Sequence, residues 1–451
     1  MLELRLSLLS FLSKTCRSGM MSNSALNLML LSYLRLPPQR FAFPAIISSL
    51  CFVLTVLFLR LYPSDDLQYS RINTDIDAPF ISGCQDPIAA AKAHPREKAA
   101  IVMLARNSEF SGILRSIESI EQRFNRYFNY PYVLLNDKKF NSTIRAAVRN
   151  ATSSLVEFGQ IPEAVWNFPS WTNRSLVQEA IALQGDRSIL YGGMESYHKM
   201  CRFYSGFFYK HELLAKYEWY WRLEPDVSFY CDITYDPFVY MAKHNKVYGF
   251  NIAVKESSET VPSLFRYVTY YKRKHNIQSK GLWEMFITEE SKHGSHNDDF
   301  EAMEAMEGES YNLCHFWSNF EIARLDFFRS PEYEALFNTI EDSGGFWNER
   351  FGDAPIHSLA TGLFLSPSQL HYFRDIGYRH SDIPHCPANT PGKQLPRPPV
   401  PPGSNHNAEP WDKPRKGGVG CRCQCPIDLP EIEVTSGSCI NQWVDVIGGW
   451  V

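Results

Sequence analysis

The pattern of apolar and polar residues from position 98 onward is typical of an α/β protein. The run "KAAIVMLARN" (98–107) is short and almost continuously apolar, as a buried parallel strand would be. Apolar residues then recur at helical spacing from Ile113 to Phe124, and "YPYVLLND" follows as a second apolar run. This order predicts a β-α-β unit and a parallel-type sheet, which binds ligands at the carboxyl ends of its strands.

A later apolar and aromatic run, "YEWYWRLEPDV" (217–227), contains two carboxylates near its end. The pattern predicts a central strand whose carboxyl end delivers Glu224 and Asp226 to the ligand-binding edge of the sheet. Pro225 interrupts ladder pairing, which suits an abrupt exposed turn. The alternative is that Glu224 only caps the strand or pairs with a neighbouring arginine.

The first 60 residues contain one long apolar stretch. Residues 41–59, "FAFPAIISSLCFVLTVLFL", hold no charge over 19 positions, and a helix of that length spans a bilayer core of about 30 Å. Basic residues dominate before it, with Arg5, Lys14, Arg17, Arg35 and Arg40 against Glu3. By the positive-inside rule, the N-terminus is cytoplasmic and the remainder lumenal or extracellular. A cleaved signal peptide is the alternative, but the stretch begins late and is too long.

Two further features agree with a lumenal location. The chain contains N-glycosylation sequons at Asn141, Asn150 and Asn173. Nine of its 11 cysteines follow the apolar stretch, and an oxidising compartment would pair most of them, leaving at least one over. The cluster "CRCQC" (421–425) is therefore interpreted as disulfide-bonded and not as a zinc site, because no His/Cys pair follows at finger-like spacing.

The composition divides the chain into five segments. We expect a cytoplasmic tail (1–40), a transmembrane signal anchor (41–59), a lumenal stem (60–95), a catalytic domain (96–387) and a proline-rich, cysteine-containing tail (388–451). Eight acids and one lysine between residues 289 and 309 indicate a solvated loop. Ten prolines in residues 384–414 are too many for regular structure.

The overall charge and the known fingerprints exclude several function classes. The formal net charge is only −4, so no bulk electrostatic field points to nucleic acid. The chain also contains no P-loop and no G-x-G-x-x-G dinucleotide fingerprint.

Several long strings resemble one enzyme family. They include "SYHKMCRFYSGFFYKHELL", "YEWYWRLEPDVSFYCDITYDPF", "YNLCHFWSNFEIARLDFFRS", "GGFWNERFGDAPIHSLATGLFL" and "HYFRDIGYRH". Across residues 98–387 they closely resemble the fungal Golgi α-1,2-mannosyltransferases of the Kre/Mnt/Ktr type, glycosyltransferase family 15. The resemblance implies a GT-A fold with a mixed sheet flanked by helices, GDP-mannose as donor, Mn²⁺ as cofactor and a Golgi type II membrane protein. The long acidic segment and the proline-rich tail depart from the family pattern.

The resemblance implies two metal ligands and one catalytic carboxylate. Glu224 in "RLEPDV" and His380 in "DIGYRH" resemble ligands of Mn²⁺, for which oxygen donors with one imidazole are suitable. His380 alone would be an ordinary surface histidine. Glu321 in "SNFEIARLDFF" resembles the proposed nucleophile, since retention needs an anionic side chain beneath the anomeric carbon. The alternative places Glu321 in the first turn of a helix, interacting with the helix dipole.

Three further residues are assigned by the same resemblance. Asp353 in "RFGDAP" is expected to contact a sugar hydroxyl or the nucleotide, although it would also suit a helix N-cap. Arg106 in "LARN" follows the first strand and is expected to face the guanosine diphosphate. Tyr197 in "ESYHKMCRF" is expected near the reacting sugar, although a core aromatic is the alternative.

The resulting hypothesis is a retaining, Mn²⁺-dependent transferase. It moves mannose from GDP-mannose to the 2-hydroxyl of a terminal α-mannose on N- or O-linked glycans of glycoproteins. One alternative is a mannosylphosphate transferase of the same family, which would not need Glu321. Another is a catalytically inactive, membrane-anchored glycan-binding protein.

Overall fold

The computed structural model describes residues 85–289, 308–386, 420–425 and 432–448 of the 451-residue chain. The strands in these ranges are β1 (Ala99–Leu104), β2 (Tyr132–Asn136), β3 (Val156–Gln160), β4 (Trp219–Arg222), β5 (Val227–Phe229), β6 (Tyr248–Phe250), β7 (Ala253–Lys255), β8 (Ile287–Glu289), β9 (Glu309–Tyr311), β10 (Cys314–Phe316), β11 (Glu321–Arg324), β12 (Leu370–Tyr372), β13 (Tyr378–His380) and β14 (Ile383–His385).

The α-helices in the same ranges vary from short turns to segments of 13 residues. They are α1 (Pro87–Ala93), α2 (Phe110–Ile120), α3 (Arg126–Phe128), α4 (Ser142–Ala151), α5 (Glu163–Trp166), α6 (Arg174–Asp186), α7 (Glu195–Gly206), α8 (Pro237–Lys243), α9 (Leu264–Lys274), α10 (Leu325–Phe328), α11 (Pro331–Asp342), α12 (Gly345–Asn348), α13 (Asp353–Phe364) and α14 (Ile440–Val446).

A seven-stranded mixed sheet forms the centre of the fold, in the order β12-β6-β11-β4-β1-β2-β3. β1 pairs in parallel with β2 and β4, and β3 continues in parallel from β2, which confirms the predicted β-α-β opening. β11 inserts antiparallel between β4 and β6, so the sheet is mixed and not purely parallel. The strand predicted from the run before Glu224 is β4, and it is central as expected.

Helices cover both faces of this sheet. Side chains of β1 alternate between two apolar clusters, with Ala100 and Val102 on one face and Ile101 and Met103 on the other. The first cluster packs against α7, α9, α11 and α13, and the second against α2, α4 and α8. Burial on both faces explains why the strands read as near-continuous apolar runs.

Disulfides attach the end of the chain to the domain. Cys423 pairs with Cys231, Cys425 with Cys386 and Cys439 with Cys314. The disulfide interpretation of the "CRCQC" cluster is thereby confirmed. Within the described ranges Cys201 is a free, buried thiol, as the odd cysteine count required.

Some of the predicted segments lie outside the described residues. These include the apolar stretch 41–59, nearly all of the acidic segment 289–309 and most of the proline-rich stretch. Among the residues that are described, no helix has both the length and the hydropathy needed to cross a bilayer. Residues 87–93, inside the expected stem, instead form α1, because Asp86 caps its N-terminus and Pro87 suits its first position.

Candidate active site

The site lies at the carboxyl end of β4, where the chain turns sharply. Arg222 ends the strand, and Pro225 and Asp226 occupy the centre of the turn that leads into β5. Asp226 has a φ of +64°, as the third position of a type II turn requires, and proline suits the second position. The turn holds Glu224 close to Arg222, whose Nε donates to Glu224 Oε1 at 2.6 Å.

Arg222 connects the turn to α13. Its Nη1 donates to Asp353 Oδ2 and to Ser318 Oγ, the latter at 3.1 Å. Its guanidinium lies 3.5 Å from the centroid of the Tyr204 ring. The cation is therefore in contact with two carboxylates and one aromatic face. One buried arginine therefore positions both Glu224 and Asp353.

The two carboxylates paired with Arg222 differ in their pKa. Burial raises the pKa of Glu224, and Arg222 only partly opposes that effect. Burial also disfavours ionisation of Asp353, but Arg222, His357 and the Ser318 hydroxyl more than offset it, so the pKa of Asp353 is lowered. Ser318 Oγ donates to Asp353 Oδ2 at 2.9 Å. Asp353 is therefore the more firmly ionised member of the pair.

Asp353 is the first residue of α13, and Gly352, not Asp353, is the N-cap. Asp353 also binds Arg222 and Ser318, so its role is not limited to the first turn of the helix. The carboxylate also lies in the first turn of a helix, where the helix dipole favours negative charge.

Glu321 is completely buried beside this array. It is the first residue of β11, opposite Arg222 in the register with β4. The alternative that placed Glu321 in a helical turn is therefore wrong. The Tyr248 hydroxyl donates to Glu321 Oε2, whereas Oε1 has no hydrogen-bond partner in the described part of the chain. Burial raises the pKa of Glu321.

His357 of α13 is the second partner of Glu321. Its Nε2 lies 3.1 Å from the Tyr204 carbonyl oxygen, which can only accept, so Nε2 carries a proton. Its Nδ1 lies 2.9 Å from Glu321 Oε2. A hydrogen bond there needs one further proton, either on Nδ1 beside a carboxylate or on the carboxyl group beside a neutral imidazole. The pair therefore holds one proton in common and carries no net charge, which suits its burial.

His380 lies close to the turn that carries Glu224. It ends β13, opposite Val227 of β5 in the register. Asn319 Nδ2 lies 2.9 Å from His380 Nδ1. Burial and the charge of Arg222 lower the pKa of His380, while Asp226 and a hydrogen bond to the Pro225 backbone oppose them. The structure thus places His380 and Glu224 at the same turn.

Tyr197 and Arg106 occupy the two flanks of the site. Arg350 lies 5.4 Å from the centroid of the Tyr197 ring, and Asp353 is among the charges acting on the Tyr197 hydroxyl. Arg106 follows β1 and forms an exposed ion pair with Glu109 at 3.0 Å. β1 pairs in parallel with β4, so Arg106 lies at the same edge of the sheet as the Glu224 turn.

The donor set at the turn suits a hard divalent cation that takes further ligands from its substrate. Among the described residues no group of three or more His, Cys, Asp or Glu side chains is placed to hold a metal. Glu224 and His380 would supply one oxygen and one nitrogen, leaving the other positions to diphosphate and water. The raised pKa of Glu224 fits this arrangement, because a cation would stabilise the buried ionised form.

The sequence did not point to His357 or Tyr248. It gave Arg222 only as the neighbouring arginine with which Glu224 could pair, a contact that the structure contains. The importance of Arg222 could have been recognised from the sequence, because an arginine inside an apolar strand needs a buried counter-charge. His357 and Tyr248 gave no signal, since each lies in a segment that ordinarily forms part of the core. They are brought to Glu321 from 36 and 73 residues away.

Comparisons with known proteins identify the family. The family model described as glycolipid 2-alpha-mannosyltransferase matches residues 64–394. O-glycoside alpha-1,2-mannosyltransferase homolog 4 of Schizosaccharomyces pombe is 46% identical over 431 residues, covering 91% of each chain. Glycolipid 2-alpha-mannosyltransferase of Saccharomyces cerevisiae is 43% identical over 318 residues, covering 70% of this chain and 68% of the relative.

Two solved structures share the fold. The Mn/GDP form of core-mannan synthase A (CmsA/Ktr4) from Aspergillus fumigatus has a TM-score of 0.64 at 30% identity, covering 85% of this chain and 90% of that one. The mannosyltransferase Ktr4p of S. cerevisiae in complex with GDP has a TM-score of 0.62 at 34% identity, covering 79% and 82%. The chain belongs to the glycolipid 2-alpha-mannosyltransferase family, glycosyltransferase family 15.

Proposed function

We propose that the protein transfers mannose from GDP-mannose to the 2-hydroxyl of a terminal α-mannose on a glycan, with retention of configuration and dependence on Mn²⁺. The observation that carries the proposal is the buried Arg222, which joins Glu224 at the end of β4 to Asp353 at the start of α13. The relatives named above are mannosyltransferases, and the solved relatives bind GDP, one of them with Mn.

We assign the donor side of the reaction to the turn and the end of β1. Glu224 and His380 would hold Mn²⁺, whose chemistry is to neutralise the charge that develops on the departing diphosphate. Arg106 would contact the guanosine diphosphate from the β1 side. Arg222 keeps Glu224 in place and, through its second carboxylate partner, ties the donor site to α13.

We assign the sugar to Asp353, Glu321 and Tyr197. Asp353, whose pKa is lowered, would accept a hydrogen bond from a hydroxyl of the mannose. Glu321 would be the carboxylate beneath the anomeric carbon, either as nucleophile or as electrostatic stabiliser of a front-face attack. Its burial keeps water away, and the contact with His357 favours its ionised form. Tyr197 would pack against or hydrogen-bond the reacting sugar.

We further propose a GT-A architecture for the catalytic domain, residues 96–387, and a Golgi type II membrane protein. The mixed sheet with its ligand-binding edge at the end of β4 supports the first point. The charge-free stretch 41–59 with basic residues before it supports the second. The stem (60–95) and the tail (388–451) complete this organisation, and glycoproteins bearing mannose-terminated N- or O-glycans would be the acceptors.

The test is a transfer assay with the full-length protein, GDP-mannose, Mn²⁺ and α-methyl mannoside. We expect an α-1,2-linked mannobioside by NMR, with loss of product on EDTA treatment. Glu321→Gln should abolish transfer while GDP binding persists. Glu224→Ala and His380→Ala should each weaken Mn²⁺-dependent GDP affinity by about 10- to 100-fold.

Glu218→Ala is the matched control, because Glu218 precedes β4 at the opposite end from the site and forms an exposed ion pair with Lys98. It should leave both transfer and GDP affinity unchanged. A phosphate-linked product would indicate a mannosylphosphate transferase instead. Glycan binding that ignores GDP and Mn²⁺ would indicate a binding protein.

A further inference from the structure

The loop between α6 and α7 carries an exposed tyrosine in an unusual backbone conformation. Tyr191 has a φ of +59°, in the left-handed region that bulky side chains rarely adopt. It is nevertheless 45% exposed, so burial of its ring does not explain the conformation. Strained residues of this kind persist only where the surroundings impose the strain, and they concentrate at functional sites.

Two contacts impose the conformation of this loop. Gly193 lies against Gly185 of α6, so that a Cβ on either residue would come within 3.0 to 3.1 Å of the other's Cα. His198 of α7 contacts the Gly192 carbonyl oxygen through Nε2 and the Phe346 carbonyl oxygen through Nδ1, each at 2.7 Å. The backbone of the loop is therefore held by its neighbours, and the ring of Tyr191 is left presented to solvent.

Tyr191 is connected to the candidate active site through Tyr197. It stacks on Tyr197, with the ring centroids 4.6 Å apart and the planes inclined by 25°. Tyr197 in turn lies beside Arg350 and within the electrostatic influence of Asp353. The stacked pair thus leads from the proposed sugar-binding carboxylate to the surface.

The exposed ring of the stacked Tyr191–Tyr197 pair suits the binding of a neutral sugar. A tyrosine ring offers a flat apolar face, against which the C–H face of a pyranose can pack while its hydroxyls stay hydrated. The charged side chains at the start of α7, Glu195 and Lys199, pair with each other at 2.7 Å. These two side chains therefore offer no unpaired charge to an ionic ligand.

We propose that Tyr191 binds the sugar residue that precedes the terminal mannose of the acceptor glycan. Tyr191 is then a determinant of acceptor specificity, favouring acceptors of two or more sugars over a single mannose. The inference rests on the proposed mannosyl transfer and extends it to the second sugar of the acceptor.

The test compares KM values of the full-length protein for α-methyl mannoside and for methyl α-1,2-mannobioside. The wild type should prefer the mannobioside. Tyr191→Ala should raise the KM for the mannobioside by about 3- to 10-fold, the value expected for loss of one aromatic stacking contact. The KM for α-methyl mannoside should change by less than the KM for the mannobioside, and the KM for GDP-mannose should not change.

Two further variants separate stacking from other effects. Tyr191→Phe keeps the ring and should behave as the wild type. Tyr270→Ala removes an equally exposed tyrosine from α9, whose ring lies near Lys274, and should also behave as the wild type. If the wild type transfers mannose but Tyr191→Ala alters neither acceptor's KM, or both equally, this inference is overturned while the proposed function stands. Absence of any transfer by the wild type would overturn both.

Discussion

Glu321 and His357 illustrate how a single buried contact can govern chemistry at the scale of one residue. Neither side chain reaches solvent. Burial disfavours the ionised form of Glu321, and the contact with His357 opposes that effect. The ionised state of Glu321, which the proposed transfer uses, thus depends on its contact with His357.

His357→Gln should move the acidic limb of the transfer reaction to higher pH. Burial raises the pKa of Glu321 and His357 lowers it, so replacing the imidazole with a neutral amide removes the opposing effect. A carboxylate with a raised pKa is protonated, and here inactive, over a wider range of low pH. We expect the limb of the kcat profile to shift upward by about one pH unit or more, measured between pH 4 and 9.

His371→Gln is the control for this measurement. His371 is also buried, but its ring packs against Tyr240 and Phe373 and not against a site carboxylate. Its pH profile should match that of the wild type. A shift of the same size in both variants would mean that His357 has no specific effect on Glu321.

At the scale of elements, the position of α7 depends on its close approach to α11. Gly206, the last residue of α7, has no side chain to separate it from Phe337 of α11, and a Cβ there would overlap the phenyl ring. α7 also carries Tyr197 and Tyr204, which line the site. The glycine therefore sets how near these two side chains come to Arg222 and Asp353.

Gly206→Ala should destabilise the protein even though alanine is the better helix former. Overpacking a closed interface of this kind lowers the free energy of unfolding by about 1 to 3 kcal/mol, which urea titration would measure. Gly437→Ala is the control, because a Cβ at that position meets nothing closer than Thr435 Oγ1 at 4.0 Å. If the two variants unfold at the same urea concentration, α7 and α11 are not tightly packed at Gly206.

At the scale of the whole molecule, the C-terminal segment belongs to the folded domain. The Cys314–Cys439 disulfide connects β10 to the start of α14 across 125 residues of sequence. Trp443 of α14 packs edge-on against Phe250 and Phe316 in the core. The last described helix is thus held by both a covalent bond and apolar burial.

Cys439→Ser should lower the free energy of unfolding by about 2 to 5 kcal/mol under non-reducing conditions, because a long loop in the unfolded chain is no longer closed. The control is Cys201→Ala, which removes a buried thiol that forms no disulfide and should have a smaller effect. Similar losses in the two variants would mean that the covalent link contributes little beyond side-chain packing.

The local pattern of the sequence was sufficient for the elements near the start of the domain. β1, α2, β2 and β4 follow from apolar runs and helical spacing, which depend on neighbouring residues alone. The turn at Pro225 was predictable for the same reason, because a proline restricts the backbone only of the residues next to it. Motif strings then identified the family and its candidate residues.

The tertiary structure alone decided how the candidate residues act on one another. Arg222 meets Asp353 across 131 residues and His357 meets Glu321 across 36, and no periodicity encodes such pairs. The burial of Glu321, the proton that it shares with His357, and the stacking of Tyr191 on Tyr197 depend on packing between elements. Local chemistry in the sequence thus determined which segments and residue types are present, whereas long-range packing determined their charges and contacts.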